Sequence, residues 1–359
     1  MSAPDGPAPR LLVLASQAAA PCGVEAFARR LAATAGSRAP VHVSGGRRDL
    51  NAALDGIDAL VLNLPVVAWK RDLAGPVRAA AAARRRGRKV VLVLHEWADL
   101  DWKRRGSYLP LLPLASAIAF SSPEVARQFA ASPLSRLATA RRAIVPIPPN
   151  LAPPALTVAP PQAAVLDDAR AAGRLVIGHF GSIYPKKQST AVLDVARALM
   201  DRGADPFVAF IGSFVNGLDR VEADFTARVA ALGLQDRVTI TGYVATEAEV
   251  FGLFQRCDAF VYAFSEGLTA RRGSVLACAL SGRPVIVNAP AEPGAFDHHP
   301  TYRRLLAGGA LRLVPHGSDA TVMAEAVLAA VTSGTAAAQI DVEAAWSEAL
   351  SVIDGLARS

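Results

Sequence analysis

Cysteine is scarce in this sequence. Its 359 residues include three, Cys22, Cys257 and Cys278. They form no even disulfide set and show no metal-ligand spacing, which reads as a chain of the reducing cytoplasm. Long uninterrupted apolar runs are also missing. The opening MSAPDGPAPR leads into a short apolar stretch broken at Ser16 and Gln17, neither a secretory signal nor a bilayer span. No repeat of solenoid period occurs. Zinc spacing, an aromatic RNA-binding signature and a helix-turn-helix are all absent, so nucleic acid ranks last among partners.

What is present is an apolar, basic chain. It is 52% hydrophobic and 19% charged, with a net charge of +7. That length suggests two domains, each burying its own core. A basic balance points to an anionic partner, either a nucleotide substrate or an anionic membrane surface. Short β-rich apolar runs alternate with helical spacing along both halves. In the first half, strands are predicted at Leu11 to Ala15, Val41 to Ser44, Ala59 to Asn63, Val90 to Leu94 and Ser116 to Phe120. The second half repeats the pattern from Leu175 to Phe180 onward, through Phe207 to Gly212, Arg237 to Thr241, Asp258 to Phe264 and Pro284 to Asn288, to Leu311 to Val314. This alternation predicts α/β architecture with parallel sheets. Prolines at Pro148, Pro149, Pro153, Pro154, Pro160 and Pro161 mark the boundary. The expected organisation is a domain over 1–150, a proline-rich linker over 151–173, a second domain over 174–340 and a final helix over 341–359.

The stretch Cys257 to Asn288 carries the most information. It reads as strand, loop, helix and strand, a βαβ crossover whose loop lies at the ligand-binding end of a parallel sheet. Glu266 leaves the strand, and the spacing predicts a helix over Ala270 to Leu280 with Arg271 and Arg272 in its first turn. Cations there oppose the helix dipole unless an anion such as a diphosphate is held by the free N–H groups. Similar βα loops follow the other strands. Gly23 precedes a predicted helix. His95 and Glu96 stand just past a strand end. Gly181-Ser182 leads to Lys186 and Lys187, and Gly212 ends a further strand. Each also has a plain structural reading, as a βα turn, a core histidine or solvated lysines. The densest charge run, Ala83 to Lys89, reads first as a cationic helix C-terminus favoured by the dipole and second as a membrane-facing patch. Thr246 and Glu249 have the spacing of a capping box.

Taken in order, these segments resemble a known family. Phe180 to Lys187 (FGSIYPKK), Leu232 to Val244 (LGLQDRVTITGYV) and Phe260 to Val287 are similar to the nucleotide-sugar domain of GT-B glycosyltransferases, in particular the large retaining family 4. Pro21 to Glu25, His95-Glu96 and Ser116 to Ser121 match the first half more weakly. The resemblance implies two doubly wound, Rossmann-like α/β domains facing across a cleft. The last helix would return to the first domain. It also implies transfer of a sugar, with retention, from a nucleoside diphosphate sugar to a glycan or lipid-linked acceptor, without metal or other cofactor. His95, Lys187 and Glu266 would be catalytic. Donor contacts would come from Gly23, Gly181, Ser182, Gly212, Tyr243, Val244, Gly267, Leu268, Thr269, Arg271, Arg272 and Ser274. Among these, the backbone N–H groups of Gly267 to Thr269 would face the donor, and Tyr243 and Val244 would lie against its base.

Three positions depart from the family pattern. Two glutamates normally stand with seven residues between them; Glu266 fills the first place and Ser274 the second. A serine there offers the donor ribose only a weaker hydrogen bond. Ser182 replaces an arginine, a loss that Arg271 or Arg272 would offset at the diphosphate. Cys22 replaces one glycine of a pair. The sequence leaves two rivals: a non-catalytic GT-B-like protein that binds a nucleotide or a partner in a polysaccharide assembly, and an epimerase of similar fold, for which no distinctive residue is found.

Overall fold

The structure is a computed structural model that describes residues 7–17, 22–44, 47–70, 72, 74–184, 188–214, 220–333 and 340–358. In chain order the elements begin with β1 (Leu11–Ala15), α1 (Gly23–Ala35), β2 (Val41–Val43), α2 (Arg47–Ala53), β3 (Ala59–Leu64), α3 (Ala74–Arg85), β4 (Lys89–Leu94), α4 (Trp102–Gly106), β5 (Ala117–Phe120), α5 (Pro123–Ala131) and β6 (Arg141–Ile144). They continue with α6 (Ala163–Ala171), β7 (Leu175–Phe180), α7 (Ala191–Asp201), β8 (Pro206–Ile211), α8 (Val221–Ala231), β9 (Val238–Ile240), α9 (Glu247–Phe254) and β10 (Ala259–Tyr262). The chain ends in α10 (Gly273–Ala279), β11 (Val285–Asn288), α11 (Pro300–Ala307), β12 (Leu311–Val314), α12 (Ala320–Ser333) and α13 (Val342–Arg358).

Two compact units result. The first comprises Met1–Asn150 with Asp341–Ser359, the second Leu151–Ile340. Each holds a six-stranded, all-parallel sheet, in the order β2-β1-β3-β4-β5-β6 and β12-β11-β10-β7-β8-β9. Parallel sheets covered by helices on both faces need strands that are apolar throughout. β1 and β8 meet that demand, and β3 does so but for Asn63; every residue of the three is buried. The doubly wound α/β class expected from the sequence is the one observed.

Helix α13 packs on α1, β4, β5 and β6 of the first unit. Its anchor is Trp346, fully buried, whose Nε1 donates to Pro149 O at 3.0 Å and whose ring lies 5.2 Å from Phe27. Arg38 grips Asp354 with two hydrogen bonds, 3.0 and 2.8 Å.

Two predicted elements need correction. The segment 151–173 contains a helix, α6, entered through a turn in which the Pro160 and Pro161 carbonyls accept from Ala163 and Ala164 N–H. Helix α10 begins at Gly273, so Arg271 and Arg272 precede the helix and do not lie in its first turn; Arg272 is its N-cap residue. The capping box is present, with Thr246 and Glu249 bonded reciprocally.

Two expectations follow. Trp346→Ala should cost about 3–5 kcal/mol in chemical denaturation, the range for truncating a buried tryptophan; a change near zero would mean α13 is not anchored there. Cys257 is buried, and its desolvation, aided by Asp258, pushes the thiol up to about 12. Cys278 is buried as well and Cys22 is half-buried. A thiol reagent should therefore label one cysteine quickly in the native protein, Cys22, and all three after unfolding.

Candidate functional site

The strand order of the second unit marks where a binding crevice belongs. Strands β7 and β10 are neighbours, yet β7 connects onward to β8 on its other side, so the topology switches between β7 and β10. Ligands of open α/β sheets bind at such a switch, beyond the carboxyl ends of the strands. The ladder here is short, pairing only Ala259 with Ile177 and Phe260 with Gly178. Where it stops, Tyr262 takes over. Its hydroxyl donates to Phe180 O at 2.9 Å and accepts from Phe180 N–H at 3.1 Å. The hydroxyl also meets the side chains of Cys278 and Ser274. Burial raises the phenol well above its ordinary range, so it stays protonated and able to donate.

Beyond β10 the chain makes a tight turn held by Asn288. Asn288 Oδ1 accepts from Phe264 N–H at 2.8 Å, Asn288 Nδ2 donates to Phe264 O, and Asn288 O accepts from Leu268 N–H at 3.0 Å. Gly267 sits at φ 73°, and a Cβ there would lie 2.2 Å from Ala289 O. Only glycine fits on both counts. The exit of the turn is fixed by Tyr302, whose hydroxyl donates toward Thr269 O and Arg272 O, each at 3.4 Å.

The charged side chains of the turn form one group. Arg272 pairs with Glu266, and its guanidinium lies 4.3 Å over the Phe264 ring. Glu266 also accepts from Ser265 Oγ at 2.9 Å. Stacking and pairing hold a guanidinium in one orientation at the rim of the crevice. Arg271 is half-buried beside it. Thr269 is buried, and its Oγ1 has no hydrogen-bond partner among the described residues. The expectation that the N–H groups of Gly267 and Leu268 face a ligand needs correction. They are already bonded to Phe264 O and Asn288 O.

Other sequence-predicted residues line neighbouring strand ends. Gly181 (φ 119°) and Gly212 (φ 150°) approach so closely that a Cβ on Gly212 would lie 2.3 Å from Gly181 O. Gly181 N–H donates to Ile211 O at 2.9 Å, and Gly212 N–H to Thr241 Oγ1 at 3.1 Å. Ser182 is exposed, Tyr243 is 81% exposed and Val244 packs against the core. Ser274, half-buried, is turned toward Tyr262. Lys186 and Lys187 lie outside the described residues.

Gly23 and His95 belong to the first unit. Gly23 opens α1, and a Cβ there would meet nothing within 4 Å, so packing does not demand the glycine. His95 is buried at the end of β4, with Nε2 3.1 Å from Asn63 Oδ1 and its ring edge-on to Phe27. Nearby, Glu25 is 1% exposed and accepts from Ser16 N–H and Oγ while pairing with Arg29. No group of three or more His, Cys, Asp or Glu among the described residues is arranged to hold a metal ion.

Sequence reasoning missed Asn288 and Tyr262. Asn288 had a signal: a lone polar residue ending the apolar strand β11 must find partners, and the nearest open backbone is the adjacent turn. Tyr262, in an all-buried strand, had none.

Comparison with known proteins places a match to the family described as glycosyl transferases group 1 at residues 174–333, within the second unit. No protein of curated function matches the sequence. Among solved structures, Anabaena HepE in complex with UDP and glucose is similar with a TM-score of 0.64 at 16% identity, over 96% of this chain and 94% of that one. A glycosyltransferase from Rickettsia africae gives 0.56 at 12%, over 97% and 95%. A UDP-forming α,α-trehalose-phosphate synthase from Burkholderia xenovorans gives 0.54 at 11%, over 98% and 95%. At these identities the likeness is one of fold, the two-sheet GT-B architecture.

Asn288→Ala would strip two hydrogen bonds from the Phe264 peptide groups. It should cost about 1–3 kcal/mol of stability per orphaned buried group and open the 264–268 turn to limited proteolysis. Unchanged stability and cleavage would show that the turn holds itself.

Proposed function

We propose that this chain is a glycosyltransferase that takes a sugar from a nucleoside diphosphate sugar and passes it, with retention, to a glycan or lipid-linked acceptor. The observation that carries this reading is the turn Phe264 to Arg272 at the topological switch of the second unit. It lies inside the segment matched to glycosyl transferases group 1. In the reaction the bond between the anomeric carbon and the diphosphate oxygen breaks, and a bond to an acceptor oxygen forms. The acceptor gives up its proton, and negative charge builds on the departing diphosphate. Fixed cations aimed at that charge lower the barrier. Arg272, oriented by Phe264 and Glu266, is the described residue best prepared for it, with Arg271 and Lys187 as its neighbours in sequence logic. These cations take the part a metal ion would otherwise play, so the reading includes no metal or other cofactor.

Other roles follow from placement. Thr269 Oγ1 would hydrogen-bond the donor, and exposed Tyr243, with Val244 beneath it, would lie against the base. Ser274 contributes through Tyr262 and the floor of the crevice more than through the ribose. Glu266 would meet sugar hydroxyls with the oxygen not held by Arg272. His95, on the first unit, would contact the donor sugar or the reacting centre. Bacterial surface or exopolysaccharide synthesis, at the cytoplasmic face of the inner membrane, is the setting proposed. No helix among the described residues is long and apolar enough to cross a membrane. A second reading, a GT-B-like protein that binds nucleotide without turnover, is favoured by Ser274 standing where the family has glutamate.

Release of nucleoside diphosphate from a panel of donors separates the two. Turnover with any donor supports the transferase; tight binding without release supports the second reading. Arg272→Ala should weaken nucleoside diphosphate binding by roughly 1.5–3 kcal/mol, the worth of a hydrogen bond to a charged group. Arg271→Ala should differ from it. If both single variants and the double variant bind like the parent, the arginines do not serve the diphosphate.

A further inference from the structure

Beside the end of β3 the first unit holds a small cavity of about 10 Å³, room for one guest the size of a water molecule. Leu64 of β3 and Leu111 give it apolar walls, and Trp69, Arg104, Ser107 and Tyr108 bring polar groups to it. Trp69 arrives on the 3-10 turn Val67–Lys70 that follows β3. Arg104 belongs to α4, where the Asp101 carboxylate accepts from its backbone N–H at 2.8 Å. Tyr108 stands one helical turn further on, so its hydroxyl and the Arg104 guanidinium reach the same spot.

These side chains are buried but not satisfied. Trp69, Arg104 and Tyr108 are 3%, 7% and 3% exposed. Trp69 Nε1, Arg104 Nε and the Tyr108 hydroxyl oxygen have no hydrogen-bond partner among the described residues. All three groups carry a hydrogen to give. Indole and guanidinium nitrogens only donate. Burial pushes the Tyr108 phenol up to about 12, against the pull of Arg104, so it keeps its proton. Acceptors are scarce. Val66 O already takes the Trp69 N–H at 3.2 Å and a bond from the Arg104 guanidinium. Ser107 Oγ gives its hydrogen to Arg104 O at 2.7 Å. No carboxylate lines the cavity. The charges of Glu96 and Asp101 reach Tyr108 more weakly than that of Arg104, and Arg104 is in no ion pair among the described residues. Buried cations are otherwise paired. A water molecule can satisfy these atoms in number, because the two hydroxyl oxygens accept, but it leaves the guanidinium without a counter-ion. A small anion takes all three hydrogens and offsets the charge as well.

We infer that this cavity binds a small monovalent anion of halide size, chloride under ordinary conditions, held by Trp69, Arg104 and Tyr108 as the counter-ion of the guanidinium. Bound there, the anion ties the turn after β3 to α4, which follows β4. The two connections leave the carboxyl ends of neighbouring parallel strands. The site needs nothing from the second unit and exists whether or not that unit transfers a sugar.

Crystals of the intact protein grown with sodium bromide in place of chloride test the site directly. An anomalous bromide peak should lie within reach of Trp69 Nε1, Arg104 Nε and the Tyr108 hydroxyl. Density there without anomalous signal would make the guest a water molecule and overturn the inference. In solution, the melting temperature is followed as chloride replaces gluconate, an anion too large for the cavity, at constant ionic strength. The parent protein should gain stability with a saturable dependence on chloride, as a ligand of the folded state requires. Tyr108→Phe should move the midpoint of that titration roughly tenfold higher, the worth of one hydrogen bond to a charged group. Arg104→Met removes the charge at similar volume and should abolish the response. A parent protein indifferent to chloride overturns the inference. So does a chloride response that both variants keep, which would assign it to exposed arginines. Should Arg104→Met fail to fold, Tyr108→Phe and the bromide peak decide.

Discussion

Everything proposed for the second unit depends on two parallel strands parting company. β7 and β10 share only two residue pairs before they diverge. A gap opening inside a sheet exposes backbone groups that neither water nor a neighbouring strand satisfies cheaply. Tyr262 resolves this by sending its hydroxyl across to both polar groups of Phe180. His179 does similar work one residue earlier, with Nδ1 3.0 Å from Val261 O. Side chains thus bridge the two strands where their ladder ends. The turn after β10 borders the opening, and Asn288 on the neighbouring β11 gives that turn a fixed shape. Pre-shaping matters because a ligand then spends little of its binding energy on ordering the loop.

Much of the fold was legible because parallel strands buried on both faces are short apolar runs rich in β-branched and aromatic residues. β3, ALVLNL, and β8, PFVAFI, announce themselves. What escaped was the helix behind the proline pair of the boundary segment. Pro160 and Pro161 in the turn ahead of α6, and Pro300 at the first position of α11, look like breaks in a sequence, yet a proline's missing N–H costs nothing where no intrahelical bond would use it. The arginines before α10 were misplaced for a related reason. Helical spacing of apolar residues continues backward through Ala270, but Tyr302 draws the carbonyls of Thr269 and Arg272 toward itself and keeps that stretch out of the helix.

The candidate site was legible in its residue types and less so in its wiring. The sequence offers Glu266 and Arg272 as separate charges. In the folded chain they are partners, and the phenyl ring of Phe264 lies under the guanidinium. Such pairing depends on a side chain turning back six residues, which no periodicity records. The same holds for the N–H groups of Gly267 and Leu268: a glycine-bearing turn suggests free donors, but Phe264 and Asn288 use them first. Ser274 likewise takes its meaning from a tyrosine on another element.

Helix α13 has a consequence for how the molecule is made. Its tryptophan bonds to Pro149, 197 residues earlier in the chain. At a synthesis rate of about 5–20 residues per second, that separation is roughly 10–40 seconds on the ribosome. For that interval the first unit waits with Phe27 and the face of β4 to β6 uncovered, while the whole second unit emerges and has time to fold. An apolar surface exposed for so long is where a trigger-type chaperone would sit, and where two nascent chains on one message would meet. Docking of α13 is therefore the step that retires this hazard, and the second unit is synthesised in full before the first can close.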